Sequence, residues 1–199
     1  MQPLANWRIW MMKAELQLFE SNPIIAAVTD EEHLDEALAS DCDILFFLCG
    51  SICCIGGLVA RAKAAGKLAF VHLDLTHGLS GKEISADFIK EFTQADGVIS
   101  TRPLQLRRAK SIGLMTVLRI FLVDSLSLAN LRKQIDACGA DFVEIMPGVM
   151  PKMIRRVCEM TDVPVITGGL IADKEDVIGA LSAGAQCIST SCEGLWRDL

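Results

Sequence analysis

Two short polar clusters, Thr167-Gly168-Gly169 and Ser189-Thr190-Ser191, each close a β-branched run and stand about one strand-helix unit apart. Glycine lacks a Cβ, so backbone N–H groups there approach an anion closely, and the three hydroxyls add further donors. Together they have the chemistry of a phosphate cradle. Four further residues carry charge or titrate within otherwise apolar runs: His72, Asp74, Arg119 and Glu144. Charge in such a run is unfavourable unless it is paired or used. These four fit two arrangements that do not exclude each other. One is an ion-pair network joining Arg119 to Glu144 or Asp74, and the other is a polar pocket that orients the hydroxyls of a ligand. His72 and Asp74 lie two apart, which places them on one side of an extended strand, beside the Gly-containing stretch Leu75-Thr-His-Gly-Leu-Ser80.

Other chemistry is missing from the sequence. There is no Ser-His-Asp relay and no nucleophile elbow, and no lysine falls inside a strand-like run, which argues against Schiff-base aldolase chemistry. Asp124-Ser125 reads first as the N-cap of a helix from Ser127. Pro147-Gly148 reads as turn chemistry. The eight cysteines are scattered, with no CxxC and no ligand spacing to histidine, so no disulfide scaffold and no metal centre is expected. They read as small buried hydrophobes of a cytoplasmic protein, with Cys53-Cys54 in a loop as a redox-sensitive alternative.

The elements that must position these residues form a repeat. Strand-like runs begin near residues 24, 44, 68, 97, 115, 142, 164 and 186. Helical patterns occupy 31–39, 58–65, 82–94, 104–112, 127–137, 150–160 and 174–183. Strands apolar on both faces and separated by single amphipathic helices predict a parallel sheet covered by helices. Eight such units in 199 residues predict an α/β fold, a closed (β/α)8 TIM barrel of near-minimal length. The rival open sheet would carry a Gly-rich first turn, which Ile24-Ile-Ala-Ala-Val-Thr-Asp30 lacks. In a barrel, the loops after the last two strands are the usual phosphate site.

Residues 1–21 read as an N-terminal helical segment that plugs the barrel's lower end, and 22–199 as a single barrel domain. Arg8, Lys13 and Glu15 break the first segment, so it is no export signal. Residues 44–60 carry no charge, but Gly50, Gly56 and Gly57 interrupt them, and they read as strand, loop and helix start rather than a membrane span.

The net charge of -6 comes from residues 1–43, where nine acids face two bases. From Gly97 to Val123 there is no acid, and Arg102, Arg107, Arg108, Lys110 and Arg119 are basic. This interval is either a solvated helix face or a patch that draws phosphates of a ligand or nucleic acid. With 6% aromatic residues and an acidic balance, any RNA surface has to be local.

Several segments, in order, resemble the glycerol uptake operon antiterminator regulatory protein family: His72-Leu-Asp-Leu-Thr-His-Gly-Leu-Ser80, Asp96-Gly-Val-Ile-Ser-Thr101, Arg119-Ile-Phe-Leu-Val-Asp-Ser125, Glu144-Ile-Met-Pro-Gly-Val-Met-Pro151, Gly168-Gly-Leu-Ile171 and Ser189-Thr-Ser191 with Leu195-Trp196. The chain departs from that pattern at Arg102, where lysine is usual, at Thr167, where alanine precedes the glycines, and in Gly50-Ser-Ile-Cys-Cys-Ile-Gly-Gly57. The resemblance implies a (β/α)8 barrel that binds glycerol 3-phosphate as effector, needs no cofactor, and acts on a leader messenger RNA to prevent termination of glycerol-utilisation genes. The ligand site would then comprise His72, Asp74, Arg119, Glu144, Gly168, Gly169, Ser189, Thr190 and Ser191. The RNA site would comprise Arg102, Arg107, Arg108 and Lys110. Such a barrel is compatible with an oligomer. The residues alone also fit a small barrel enzyme, an epimerase, lyase or phosphatase-like protein acting on a phosphorylated polyol or sugar. His72, Asp74 and Glu144 would then supply acid, base or a metal site.

Overall fold

The computed structural model describes residues 22–197, so the N-terminal helical segment expected at 1–21 lies outside the described residues. Eight parallel strands close into a barrel in chain order. They are β1 Ile24–Val28, β2 Ile44–Phe47, β3 Leu68–His72, β4 Gly97–Ser100, β5 Met115–Phe121, β6 Phe142–Met146, β7 Val165–Gly168 and β8 Cys187–Thr190. Closure is made by β1 pairing with β8, Ile25 beside Ser189. Seven helices follow the first seven strands: α1 Leu34–Leu38, α2 Ile55–Ala64, α3 Ile84–Phe92, α4 Pro103–Ser111, α5 Ser125–Cys138, α6 Pro151–Met160 and α7 Lys174–Ser182. A 3-10 turn, Glu193–Leu195, follows β8.

Strand alternation divides the buried side chains into two populations. Ile25, Phe46, Phe70, Val117, Phe142 and Ile166 are among those that fill the barrel interior. A larger cluster, including Leu45, Val71, Leu118, Val143, Leu131 and Ile154, packs the outer faces of the strands against the helices. Because both faces are covered, the strands read as continuous apolar runs, and a polar residue among them is conspicuous.

Two boundaries differ from the expectation in ways that matter. The second helix begins at Ile55 rather than at residue 58, so Gly56-Gly57 lie within it. Burial of Ile55, Leu58, Val59 and Ala62, at helical spacing, overrides the local preference of the two glycines. Helix α5 starts at Ser125, two residues earlier than read. Asp124 is its N-cap, accepting from Ser127 N at 2.7 Å, and the Ser127 side chain returns the bond to the cap backbone. No helix of the described residues is long and apolar enough to cross a membrane. None of the eight cysteines forms a disulfide. Burial pushes the Cys187 thiol inside the barrel up to about 12.

Candidate ligand site at the barrel mouth

Arg119 and Glu144 are register partners on neighbouring strands. Parity with Val117 and Phe142 turns both side chains into the barrel, above its apolar filling. Arg119 Nε donates to Glu144 Oε2 at 2.6 Å, and the pair is almost completely enclosed, at 4% and 0% exposure. On the far side of the carboxylate, Ser189 Oγ donates to Glu144 Oε1 at 2.6 Å. Gly168 is the register partner of Ser189. A Cβ at 168 would stand 2.6 Å from Ser189 Oγ and 2.8 Å from Glu144 Oε1, so glycine there makes room for this bond. The result is a buried chain Arg119, Glu144, Ser189. The carboxylate is satisfied at both oxygens, whereas Arg119 Nη2 is buried and has no hydrogen-bond partner among the described residues. An unpaired buried donor on a cation is costly, and such a group marks where an acceptor oxygen belongs.

Above this chain lies a cavity of about 150 Å³ lined by Arg119, Met146, Gly169, Leu170, Ser189 and Ser191, among others. Gly169 has φ +77, and the next residue, Leu170, holds φ +65 although it is neither glycine nor asparagine. A left-handed leucine costs on the order of 1 to 3 kcal/mol and persists where surrounding structure dictates it. Leu170 is also 75% exposed at the rim. The loop after β7 is therefore held in an unusual conformation at the edge of the cavity.

His72 ends β3 and is buried. Its Nδ1 accepts from Asp74 N at 3.2 Å, so the other ring nitrogen carries the proton when the ring is neutral. Burial, reinforced by the nearby Arg119 cation and opposed by Asp74, lowers its pKa to about 3, and the ring is neutral at ordinary pH. Asp74 sits beyond the strand end. Its Oδ2 accepts from Ser100 Oγ at 2.9 Å, Thr101 N at 2.8 Å and Thr101 Oγ1 at 3.2 Å. Arg102 Nε stands 3.2 Å from Oδ1. Hence Asp74 pairs with Arg102, not with Arg119, and ties the end of β3 to the start of α4. It also lines a wide cleft of about 790 Å³ with Asp30, Glu31, Glu32, Cys49 and His77. Thr29 and Leu48 line both the cleft and the smaller cavity, so the two are adjoining parts of one mouth.

The structure brings His72, Asp74, Arg119, Glu144, Gly168, Gly169, Ser189 and Ser191 to this mouth. Thr190 borders the cavity as well, but strand parity turns its side chain outward between Ser189 and Ser191. Its hydroxyl donates to the Ile171 carbonyl at 3.0 Å, while Trp196 Nε1 donates to its carbonyl at 2.9 Å. Thr167 is also outward-facing, so the departure at that position does not alter the cavity; its buried hydroxyl has no partner among the described residues. Thr29, Leu48 and Met146 line the cavity and were not singled out from the sequence. Parity with Ala27, Phe46 and Glu144 was the signal that points to them.

Most cations of the basic interval 97–123 are ion-paired. Arg102 is taken by Asp74. Arg108 is held by Asp87 of α3, with Nε 3.1 and 3.2 Å from its two oxygens. Lys110 Nζ stands 2.7 Å from Asp141 Oδ1. Of the bases on α4, Arg107 alone has no ion pair among the described residues. No group of three or more His, Cys, Asp or Glu among the described residues could hold a metal ion.

The chain matches the family described as glycerol-3-phosphate responsive antiterminator over residues 24–196. It is 43% identical over 181 residues to an uncharacterized protein of Escherichia coli (strain K12), YgcP, covering 91% of this chain and 95% of that one. Among solved structures it superimposes on the glycerol uptake operon antiterminator regulatory protein of Listeria monocytogenes with a TM-score of 0.84 at 30% identity, over 87% of this chain and 94% of that one. A glycerol uptake operon antiterminator-related protein of Thermotoga maritima gives 0.78 at 33% identity, over 88% and 98%. With the match spanning nearly the whole barrel, this chain belongs to the glycerol-3-phosphate responsive antiterminator family.

Proposed function

We propose that the mouth binds glycerol 3-phosphate, or a closely related phosphorylated polyol, and that occupancy controls binding to a leader RNA and so transcription antitermination of glycerol-uptake genes. The observation that carries this reading is the buried Arg119 guanidinium, anchored by Glu144 and presenting an unpartnered Nη2 at a cavity bordered by Gly169, Ser189 and Ser191. A cation held in place at low exposure favours an acceptor-rich ligand over water, because its geometry is set before the ligand arrives. The cavity suits a molecule of a few carbons. Ser189 already donates its proton to Glu144, so it offers lone pairs to a ligand hydroxyl, while Arg119 offers a donor.

The arrangement supports binding rather than turnover. An epimerase or lyase needs an acid and a base aimed at the substrate with pKa values near working pH. His72 is held neutral with Nδ1 occupied, and Glu144 is engaged at both oxygens. The test is thermal unfolding of the protein with glycerol 3-phosphate, glycerol and inorganic phosphate, followed by RNA gel shift with the best of them. The reading expects glycerol 3-phosphate alone to raise the melting temperature strongly, by stabilisation of about 2.7 kcal/mol at a hundredfold excess over Kd, and to strengthen RNA binding. Equal, negligible shifts for all three compounds overturn it.

A further inference from the structure

The face of α6 turned away from the barrel carries Lys152, Arg155 and Arg156, all exposed, above the buried Ile154 and Val157. At 3.6 residues per turn these three cations fall on one outward arc, with Glu159 as the single acid among them. None of the three has an ion-pair partner among the described residues. Neighbouring α5 adds exposed Arg132 and Lys133; Arg132 lies 3.5 Å from Asp136 and donates to the Met160 carbonyl at 2.9 Å. In a chain of net charge -6, this is a local concentration of uncompensated positive charge. Helix α4 contrasts with it, since Arg108 and Lys110 there are neutralised by Asp87 and Asp141.

Helix α6 is also the helix launched from the candidate ligand site. Met146 lines the cavity, and Gly148 N donates to the Gly169 carbonyl at 3.0 Å. A Cβ at 148 would lie 2.7 Å from Ile171 Cδ1 and 3.2 Å from Gly168 N, so the loops after β6 and β7 touch through their backbones. Two residues beyond, Met150 begins the helix by accepting from Met153 N and Ile154 N at 2.9 and 3.0 Å. A shift of Gly169 and Leu170 on ligand binding therefore reaches the first turn of α6, where Lys152 sits.

We propose that the outward face of α6 is the surface that docks RNA phosphates, and that the Gly148–Gly169 contact couples it to the ligand. This rests on the antiterminator reading above. Backbone phosphate contacts by Lys and Arg dominate nucleic-acid affinity, and each contributes to the salt dependence. Coupling of this kind requires only that the two loop positions differ in affinity for the ligand.

The test uses an RNA stem-loop followed by a uridine tract, bound with and without saturating glycerol 3-phosphate across a salt series. Lys152→Ala/Arg155→Ala/Arg156→Ala is expected to lose about tenfold or more in affinity and about two units of salt slope. The charge-keeping variant Lys152→Arg/Arg155→Lys/Arg156→Lys retains binding, and Arg107→Ala/Arg108→Ala/Lys110→Ala stays near the parent. Gly148→Ala, whose methyl group has to displace Ile171, binds RNA with a reduced response to glycerol 3-phosphate. Parent-like affinity and slope in the α6 triple alanine variant overturn the inference and leave the antiterminator reading intact. A parent that ignores RNA at saturating glycerol 3-phosphate, or binds only phosphatidylglycerol vesicles, removes both.

Discussion

The loops after β1, β2 and β3 enclose a wide cleft of about 790 Å³ edged by Asp30, Glu31, Glu32 and Asp74, whereas β5, β6, β8 and the loop after β7, joined by Thr29 and Leu48, enclose a cavity of about 150 Å³ built on one buried guanidinium. Charge in the first half is exposed to water or tied down locally, as Asp74 is by β4 and Arg102. In the second half a cation is buried, held by a single carboxylate and left with a spare donor. The contrast fits the proposed ligand: acidic loops would repel a phosphate from one side, and a pre-set cation would receive an acceptor on the other. The same contrast recurs outside, where α4 pairs two of its three cations and, among the described residues, α6 pairs none of its three.

The largest effects follow from breaking the buried half. Arg119→Ala leaves Glu144 charged and enclosed without its partner, which is expected to destabilise the fold by about 3 to 5 kcal/mol in urea unfolding. Asp74→Ala removes bonds at the partly open half and is expected to lose about 1 to 3 kcal/mol. Equal losses in the two variants would erase the distinction between the halves.

A second, smaller effect is a pH dependence. The His72 pKa is lowered from 6.5 to about 3 in the folded protein, chiefly by burial and then by Arg119. Between those values the unfolded chain binds more protons, so this residue's contribution is fully present above pH 6.5 and is lost as pH falls toward 3. Replacing it with glutamine flattens the acid side of the stability profile, as read by chemical unfolding at a series of pH values. An unchanged acid limb would place the titrating group elsewhere.

The smallest effect belongs to the exterior. Arg108→Ala breaks the pair with Asp87 and is expected to leave the melting temperature within error of the parent, since exposed pairs are screened and entropically costly. A marked drop in melting temperature would show that α4 needs this pair for its packing, and would weaken the contrast with α6.

Much of this was legible in the sequence, and the exceptions have physical causes. The strand at Ile24–Val28 and the long strand at Met115–Phe121 fall where the apolar runs place them, because both faces of each are covered. Arg119 and Glu144 stood out as charges in such runs. Thr190 borders the cavity with its two serine neighbours, but alternation along β8 turns its hydroxyl outward to the Ile171 carbonyl. The pairing of Asp74 with Arg102 was hidden because β3 ends at His72 and the partner arrives from the next strand-helix unit. The partners of the acid-free interval were hidden for a similar reason. Asp87 and Asp141 lie 21 and 31 residues from the bases they neutralise, and local composition carries no information about neighbours across the helix layer.

The central claim is that Arg119, through the donor it does not spend on Glu144, holds the ligand. The direct measurement is calorimetric titration of glycerol 3-phosphate into the parent and into Arg119→Lys. Lysine keeps the charge beside Glu144 but lacks the second arm of the guanidinium. The account predicts a folded variant whose Kd rises about ten- to hundredfold, the loss of one buried hydrogen bond to a charged group. Parent-like affinity in that folded variant would contradict it.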